Sequence, residues 1–317
     1  MILNASNFTG KYSHLNNKKL TLNISRLGLA RCVMTAGCNG RRAILNRGIL
    51  RHCYLGAMVL SNTTNTPKGL ALDDAFHALD MSEKIPISYH LGMGLTKAFS
   101  EQHLNIPWLS HISAFKNSIR WNGKPIAPKL ILYKTKKHAR EPDLIGYDSN
   151  GRPHVLESKG YSSGFSGSEL QHAINQVSQV NTIAGVTPET RTACFHDLSG
   201  YAFKSRIVDP EGPDLHGLTV EWDLHSALES YYSIFNSLEG QLVQRQFRKH
   251  KYFVIPIIKP DIYFGIDADV LEMLKDKKKL NAELFIQIFE RSKSFQNSID
   301  GSSKYDLGLD GIIIFND

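Results

Sequence analysis

The sequence predicts an α/β protein. Short apolar runs of strand length occur at Pro142 to Tyr147, Pro153 to Tyr161, Tyr252 to Ile258 and Gly311 to Phe315. Beside them in the chain are segments whose apolar residues recur every three or four positions, such as Leu91, Leu95, Ala98 and Phe99 ahead of the first run. An Asn-Gly turn, Asn150-Gly151, joins two of the strand-like runs into an expected antiparallel hairpin. No internal repeat with a period of about 20 to 50 residues is present, which removes solenoids and propellers.

Taken in order, residues 1–84 carry scattered polar residues and Gly and give no clear pattern. Arg41-Arg42 and Arg47 to Arg51 make this region partly basic, and Ser61 to Pro67 reads as a loop. A helix is expected from about Ile87, ending before Asn105-Ile106-Pro107. Leu130 to Tyr133 has the apolar content of a strand, with Pro128 just upstream. The acidic hairpin follows, then a Gly/Ser loop from Ser162 to Gly167, with Ser168 as the expected helix N-cap. Leu170, Ile174, Val177 and Asn181 fall near one helical face, with Ala173 and Ala184 beside it, and Thr190 to Leu198 reads as another strand. In the last third, Ile262 to Ile266 adds a strand candidate, while Leu224 to Phe247 and Ala268 to Arg291 read as mostly helical. The run Asp276 to Lys279 is expected as a solvated helix end. Three parts are expected: a partly basic N-terminal region at 1–84, a core at 85–205, and an α/β extension at 206–317.

Composition narrows the class. The 317 residues are 42% hydrophobic and 21% charged, close to the average for folded chains and unlike disordered, collagenous or coiled-coil sequences. Four Cys cannot staple a chain of this size in place of a core. No stretch reaches the roughly 20 apolar residues that span a bilayer, and the N-terminus lacks the charged-then-apolar order of a signal peptide. The expectation is a cytoplasmic protein with reduced thiols and no membrane partner. A net charge of +7 tilts the partner towards a phosphate-bearing polymer, with the placement of charge left to decide.

Residues 141–160, EPDLIGYDSNGRPHVLESKG, carry the chemistry. Glu157 and Lys159 are two apart on one strand and so project from the same face. Hairpin pairing can bring Asp143 beside them, joining two carboxylates and one ammonium in a small site. Two carboxylates with open positions suit Mg²⁺ or Mn²⁺, which take oxygen ligands and retain waters. Such an ion lowers the pKa of bound water and neutralises charge on a phosphate. Lys159 could orient or deprotonate the attacking water, or stabilise the phosphorane-like charge as a point cation.

Pro142-Asp143 followed by Glu157-Ser158-Lys159 resembles the PD-(D/E)xK nuclease superfamily, the fold of many restriction endonucleases. The order helix, strand, acidic hairpin, helix, strand over roughly residues 87–200 is similar to the family's αβββαβ core with its mixed central sheet. The Gly after the Lys and a following helix bearing Gln176 resemble subgroups with a Gln on that helix. The resemblance implies metal-dependent hydrolysis of phosphodiester bonds, in DNA or alternatively RNA, and by association a role in restriction or anti-phage defence. It makes Asp143 and Glu157 metal ligands, with the Ser158 carbonyl as a further one. Lys159 becomes the water-handling residue and Gln176 an auxiliary group near the scissile phosphate or the Lys. The first core helix of such proteins often adds an acid, for which Glu101 is the nearest fit and Glu83 the next. Nucleases of this fold commonly work as homodimers or with a partner protein.

Competing readings stand beside these. The hairpin alone could be a surface ion pair worth well under about 1 kcal/mol. The chain could also be a catalytically inactive DNA-binding or complex-forming subunit, since fold does not fix activity. Lys134, Lys136, Lys137 and Arg140 directly precede the acidic strand and could ride on phosphates, or form an ordinary solvated loop. Glu101 could simply face solvent. Cys32, Cys38, His52 and Cys53 have poor spacing for a tetrahedral zinc site, and Cys194 reads as core. His154 and His172 lie near the acidic hairpin in sequence and could touch a phosphate, or be solvated strand and helix positions, which is the reading preferred. Gly92-Met93-Gly94 lacks the preceding strand that a phosphate loop needs.

Overall fold

The computed structural model describes residues 1–16, 19–37, 49–112, 120–121, 124–125, 131–134, 141–164, 167–210, 212, 218–221, 224–238, 240–258, 261–275, 282–297 and 304–316. The N-terminal part holds strands β1 (Ile2–Ser6) and β2 (Lys19–Thr21), helices α1 (Arg26–Thr35) and α2 (Leu50–Asn62), and the hairpin β3 (Thr63–Thr66) and β4 (Gly69–Leu72). The middle part begins with α3 (Asp74–His77), α4 (Met81–Phe99) and β5 (Trp108–His111). It continues through β6 (Arg120–Trp121), β7 (Lys124–Pro125), β8 (Ile131–Lys134), β9 (Leu144–Tyr147) and β10 (Pro153–Tyr161). It closes with α5 (Gly167–Ser178), β11 (Val180–Ile183), β12 (Arg191–Asp197) and β13 (Lys204–Val208). The remainder comprises β14 (Leu218–Glu221), α6 (Leu224–Tyr231), α7 (Ser233–Ser237), β15 (Val243–Phe247), β16 (His250–Ile258), β17 (Ile262–Asp267), α8 (Ala268–Lys275), α9 (Ala282–Asn297), β18 (Tyr305–Leu307) and β19 (Ile312–Asn316).

The protein is α/β with a mixed central sheet of seven strands in the order β2-β1-β13-β12-β10-β9-β5. β9 lies between β5 and β10 and pairs antiparallel with each, whereas β10 pairs with β12, and β1 with β13, in parallel. A second sheet, β15-β16-β17-β19-β18, is antiparallel throughout, and a third joins β11, β14 and β8. One hydrophobic cluster runs from Leu3 to Ile314 and crosses both boundaries expected at residues 84 and 205. The core is shared because β1 and β2 extend the central sheet while α1 packs against α4 on one side and β18 and β19 on the other.

Several elements differ from the sequence expectation, each for a local reason. α4 starts at Met81 rather than near Ile87. Asp80 accepts hydrogen bonds from the Ser82 and Glu83 amides (2.7 and 3.2 Å), and Glu83 accepts one from the Asp80 amide at 3.4 Å. This capping box nucleates the helix ahead of its apolar stripe. The helix ends through a π turn at Ser100–Leu104, with Asn105 in the left-handed region (φ 57°). Ser61 to Pro67 is not a loop, since α2 runs to Asn62 and Thr63–Thr66 pairs with β4. Ser168 lies inside α5 instead of capping it. The expected helix through Phe247 gives way to strand β15. Most consequential, the apolar Leu130 to Tyr133 run falls largely in β8 of the three-stranded sheet. The strand beside the acidic hairpin is instead β5, Trp108–His111.

The hairpin itself forms as its residues dictate. Asp148 accepts from the Asn150 and Arg152 amides at 2.9 and 3.0 Å, and Gly151 supplies the positive φ (71°) that the turn demands.

Candidate functional site

β9 and β10 pair in a register that sets Leu144 opposite Leu156, so Asp143, just before β9, lies level with Glu157. Two hydrogen bonds lock this arrangement. The Asp143 amide donates to Glu157 Oε2 at 2.8 Å, and the Ser158 amide donates to Asp143 Oδ2 at 3.2 Å. Lys159 reaches back to touch both acids, donating to Glu157 Oε1 and lying 4.0 Å from Asp143 Oδ2. Asp143, Glu157 and Lys159 therefore form one constellation.

The constellation sits at the edge of the interior. Glu157 has no exposed surface, while the side chains of Asp143 and Lys159 are 19% and 30% exposed. Burial, reinforced by the Asp143 charge, pushes the Glu157 carboxyl up to about 7 from its ordinary 4.5, although Lys159 opposes the shift. One ammonium does not balance two carboxylates in this low-dielectric position. The donor set fits Mg²⁺ or Mn²⁺, which bind through one or two carboxylates together with waters and substrate phosphates. Among the described residues, no group of three or more His, Cys, Asp or Glu side chains converges on one point.

Ser158 points its side chain away from the acids, because neighbouring residues on a strand alternate. Its hydroxyl accepts from Thr96 Oγ1 of α4 at 2.9 Å. Thr96 also meets His196 Nε2 at 2.9 Å, and His196 Nδ1 meets Ser205 Oγ at 2.6 Å. Burial lowers His196 to about 3, so this chain is a neutral polar brace behind β10. Gln176 does not reach Lys159. Its amide donates to the Glu141 carbonyl at 3.0 Å, so α5 fixes the backbone two residues ahead of Asp143.

The remaining sequence candidates lie elsewhere. Glu101 neither faces solvent nor joins the acids. It is buried and paired with Arg31 and Lys97, both at 2.7 Å. Glu83 is spent on the α4 cap. Lys136, Lys137 and Arg140 lie outside the described residues, and Lys134 closes β8 of the three-stranded sheet. His154 is not solvated: it is fully buried, with Nδ1 3.0 Å from Thr190 Oγ1. His172 is exposed and Cys194 is core, as read from sequence.

Two site residues escaped the sequence reading. Tyr89 of α4 and His111 of β5 meet at 2.9 Å (Oη to Nε2). Burial, then the charges of Asp143 and Glu157, raises the Tyr89 phenol. Burial lowers His111 while Asp143 works against it. Both rings therefore line the acidic corner. Their signal in the sequence was weak, since His111 belongs to a four-residue strand and Tyr89 to the first half of a helix. A glycine pair brings α4 this close. A Cβ on Gly160 would collide with the Ser88 carbonyl, and one on Gly92 would lie 2.8 Å from the Gly160 nitrogen. Gly92 is thus a helix–strand contact and not part of a phosphate loop.

No family model, curated protein or solved structure matches this chain.

Proposed function

We propose that the protein is a Mg²⁺-dependent DNA endonuclease of the PD-(D/E)xK type. The observation that carries the reading is the Asp143–Glu157–Lys159 constellation, in which one ammonium touches two carboxylates that the main chain itself locks together. With β6, β7, β8 and β11 lying outside the central sheet, the order α4, β5, β9, β10, α5, β12, in which β9 is antiparallel to both neighbours and β12 parallel to β10, supports the same fold family. In this reading Asp143 and Glu157 hold the divalent ion. When bound, that ion supplies a more acidic water and neutralises charge on the phosphate. Lys159 offsets part of the acids' charge at rest and serves as the point cation for the attacking water or the phosphoryl charge. Gln176 is a positioning residue through Glu141. The Ser158 amide orients Asp143, while its carbonyl is a further candidate ligand.

The test is incubation of purified protein with plasmid DNA in Mg²⁺, Mn²⁺ or EDTA, alongside Glu157→Ala. Nicking or linearisation is expected with either ion, and chelation abolishes it. The Glu157→Ala rate should fall at least about a hundredfold, the scale of losing one group that acts in the reaction. Cleavage that persists in EDTA or in Glu157→Ala overturns the assignment. Metal-independent DNA binding without cleavage by any preparation favours the second reading, an inactive nuclease-fold subunit.

A further inference from the structure

The central sheet is covered unevenly. α4 packs on one face of β10 and β12, where Ser158 and His196 meet Thr96, and α5 packs on the same two strands from the other side. That second face carries Glu157 and Lys159, and strand register extends it away from the site. Lys159 lies opposite Phe195, Phe195 opposite Arg206, Arg206 opposite Asn4, and Asn4 opposite Lys19. The next row runs Tyr161, Asp197, Lys204, Ile2, Thr21. Alternation along each strand keeps both rows on one face.

Beyond α5 this face is open. Lys204 and Arg206 of β13, Ile2 and Asn4 of β1, and Lys19 and Thr21 of β2 are all exposed, while the residues alternating with them on β1 and β13 are buried. The three strands hold no Asp, Glu or aromatic residue. Among the described residues no carboxylate pairs with Lys19, Lys204 or Arg206. Asp197, opposite Lys204 in register, accepts from the Ser199 amide and hydroxyl at 3.0 and 2.6 Å. Charge on an edge strand blocks edge-to-edge pairing, which accounts for Lys19 on β2. It does not account for Lys204 and Arg206, because β13 lies two strands inside that edge. Like charges close together on one sheet face repel, and these strands carry no counter-charge.

We infer that the open β13-β1-β2 face is a shelf for the phosphate backbone of duplex DNA on one side of the cleaved bond. The inference rests on the nuclease reading and states where the substrate of that site lies. A phosphate held at Lys159 continues into a backbone that must leave the site, and the row from Lys159 leads onto the cations. With strands about 4.8 Å apart, β13 lies about 10 Å and β2 about 19 Å from β10. At about 3.4 Å per base pair this is roughly three to six base pairs from the cut. Asn4 and Thr21 add neutral side chains of the kind that bind phosphate oxygens. Single-strand binders add aromatic rings on which bases stack, and the shelf strands have none. The face offers phosphate contacts alone, which suits a duplex with its bases turned inward.

Binding of a labelled DNA duplex of about two helical turns to the full-length protein is measured by anisotropy in EDTA across a salt series, so that cleavage does not intervene. The variant Lys19→Gln/Lys204→Gln/Arg206→Gln is compared with a control of equal charge loss at exposed positions elsewhere, Lys249→Gln/Lys251→Gln/Lys293→Gln. A third variant, Lys19→Arg/Lys204→Arg/Arg206→Lys, preserves the charge, and thermal unfolding verifies that each is folded. The shelf variant should lose at least about tenfold in affinity, with a log–log salt slope shallower by about 0.9 per lost phosphate contact. The control and the charge-preserving variant should keep the wild-type slope. Failure of the wild type to bind the duplex overturns the inference, as does an unchanged slope in the shelf variant or an equal loss in either comparison variant. So does a shelf-dependent loss as large for single-stranded DNA or polyglutamate as for duplex DNA. Plasmid cleavage in Mg²⁺ is scored separately: shelf-dependent binding without cleavage removes the nuclease reading alone, and cleavage with shelf-independent binding removes the shelf alone.

Discussion

Two ionic clusters of this protein contain a pair of acids and a lysine, and they behave oppositely. In the interior, Lys97 of α4 pairs with Glu101 at 2.7 Å and Asp310 at 3.1 Å, and Arg31 of α1 joins both acids and Asp306. Tyr231 Oη and the Ile312 amide complete the Asp310 shell. Burial favours the neutral acid, yet Lys97 and Arg31 outweigh it and hold Asp310 below its ordinary value. At the hairpin, Asp143 and Glu157 share a single cation among the described residues, Lys159, and Glu157 rises to about 7. For its two buried acids, Glu101 and Asp310, the first cluster has two buried cations, while its third acid, Asp306, keeps 27% of its side chain exposed. The second, among the described residues, has one cation for two acids. A buried carboxylate that is short of positive charge is a feature of working sites, whereas a balanced network is a feature of framework.

The largest expected effect separates the two lysines. Lys97→Met strands Glu101 and Asp310 in the interior and should cost about 3 to 5 kcal/mol in urea unfolding. Lys159→Met should cost clearly less at pH 6, because Glu157 answers the loss by keeping its proton. Equal costs would erase the distinction between the clusters.

A pH series sharpens the comparison next. Below pH 4.5 Glu157 is protonated in both the folded and unfolded chains and contributes nothing. As pH rises towards 7 the unfolded chain releases a proton that the native site retains, so stability falls. Above pH 7 the native carboxylate is charged and the cost is complete, on the order of 3 kcal/mol. Glu157→Gln removes this slope. Its stability relative to wild type should climb between pH 4.5 and about 7 and then level off. A flat difference would mean that Glu157 is not short of positive charge.

The smallest effect belongs to an ion pair in water. Arg152 and Glu189 meet at 2.9 Å near the hairpin turn, with side chains 47% and 30% exposed. Arg152→Ala should shift stability by less than about 1 kcal/mol, and salt should shrink even that. A larger loss would show that the turn, and with it the Asp143–Glu157 register, depends on surface charge.

Part of the site was legible and part was not. Asp143, Glu157 and Lys159 could be grouped from sequence because a tight Asn-Gly turn fixes strand register over a few residues. Their shared face then follows from the two-residue period of a strand. Tyr89 and His111 could not be grouped with them, since each arrives from a separate element. Gln176 was read as a site residue, but its reach to Glu141 depends on how α5 packs across the sheet. Glu101 illustrates the limit most clearly: a charged residue near a helix end reads as solvated until the partners that neutralise it, Arg31 and Lys97, are seen in the fold.

The sequence by itself determined the α/β class, the acidic hairpin and the local grouping of its three charged residues, because turn chemistry and side-chain alternation act over short distances. Only the tertiary structure decided which strand lies beside that hairpin. Leu130 to Tyr133 is the more apolar run, yet Trp108–His111 takes the place next to β9, and strand pairing between distant segments leaves no mark in local composition. The tertiary structure also decided the charge state of Glu157. Its proton affinity depends on the absence of solvent and the nearness of Asp143, and both are properties of packing rather than of residue type.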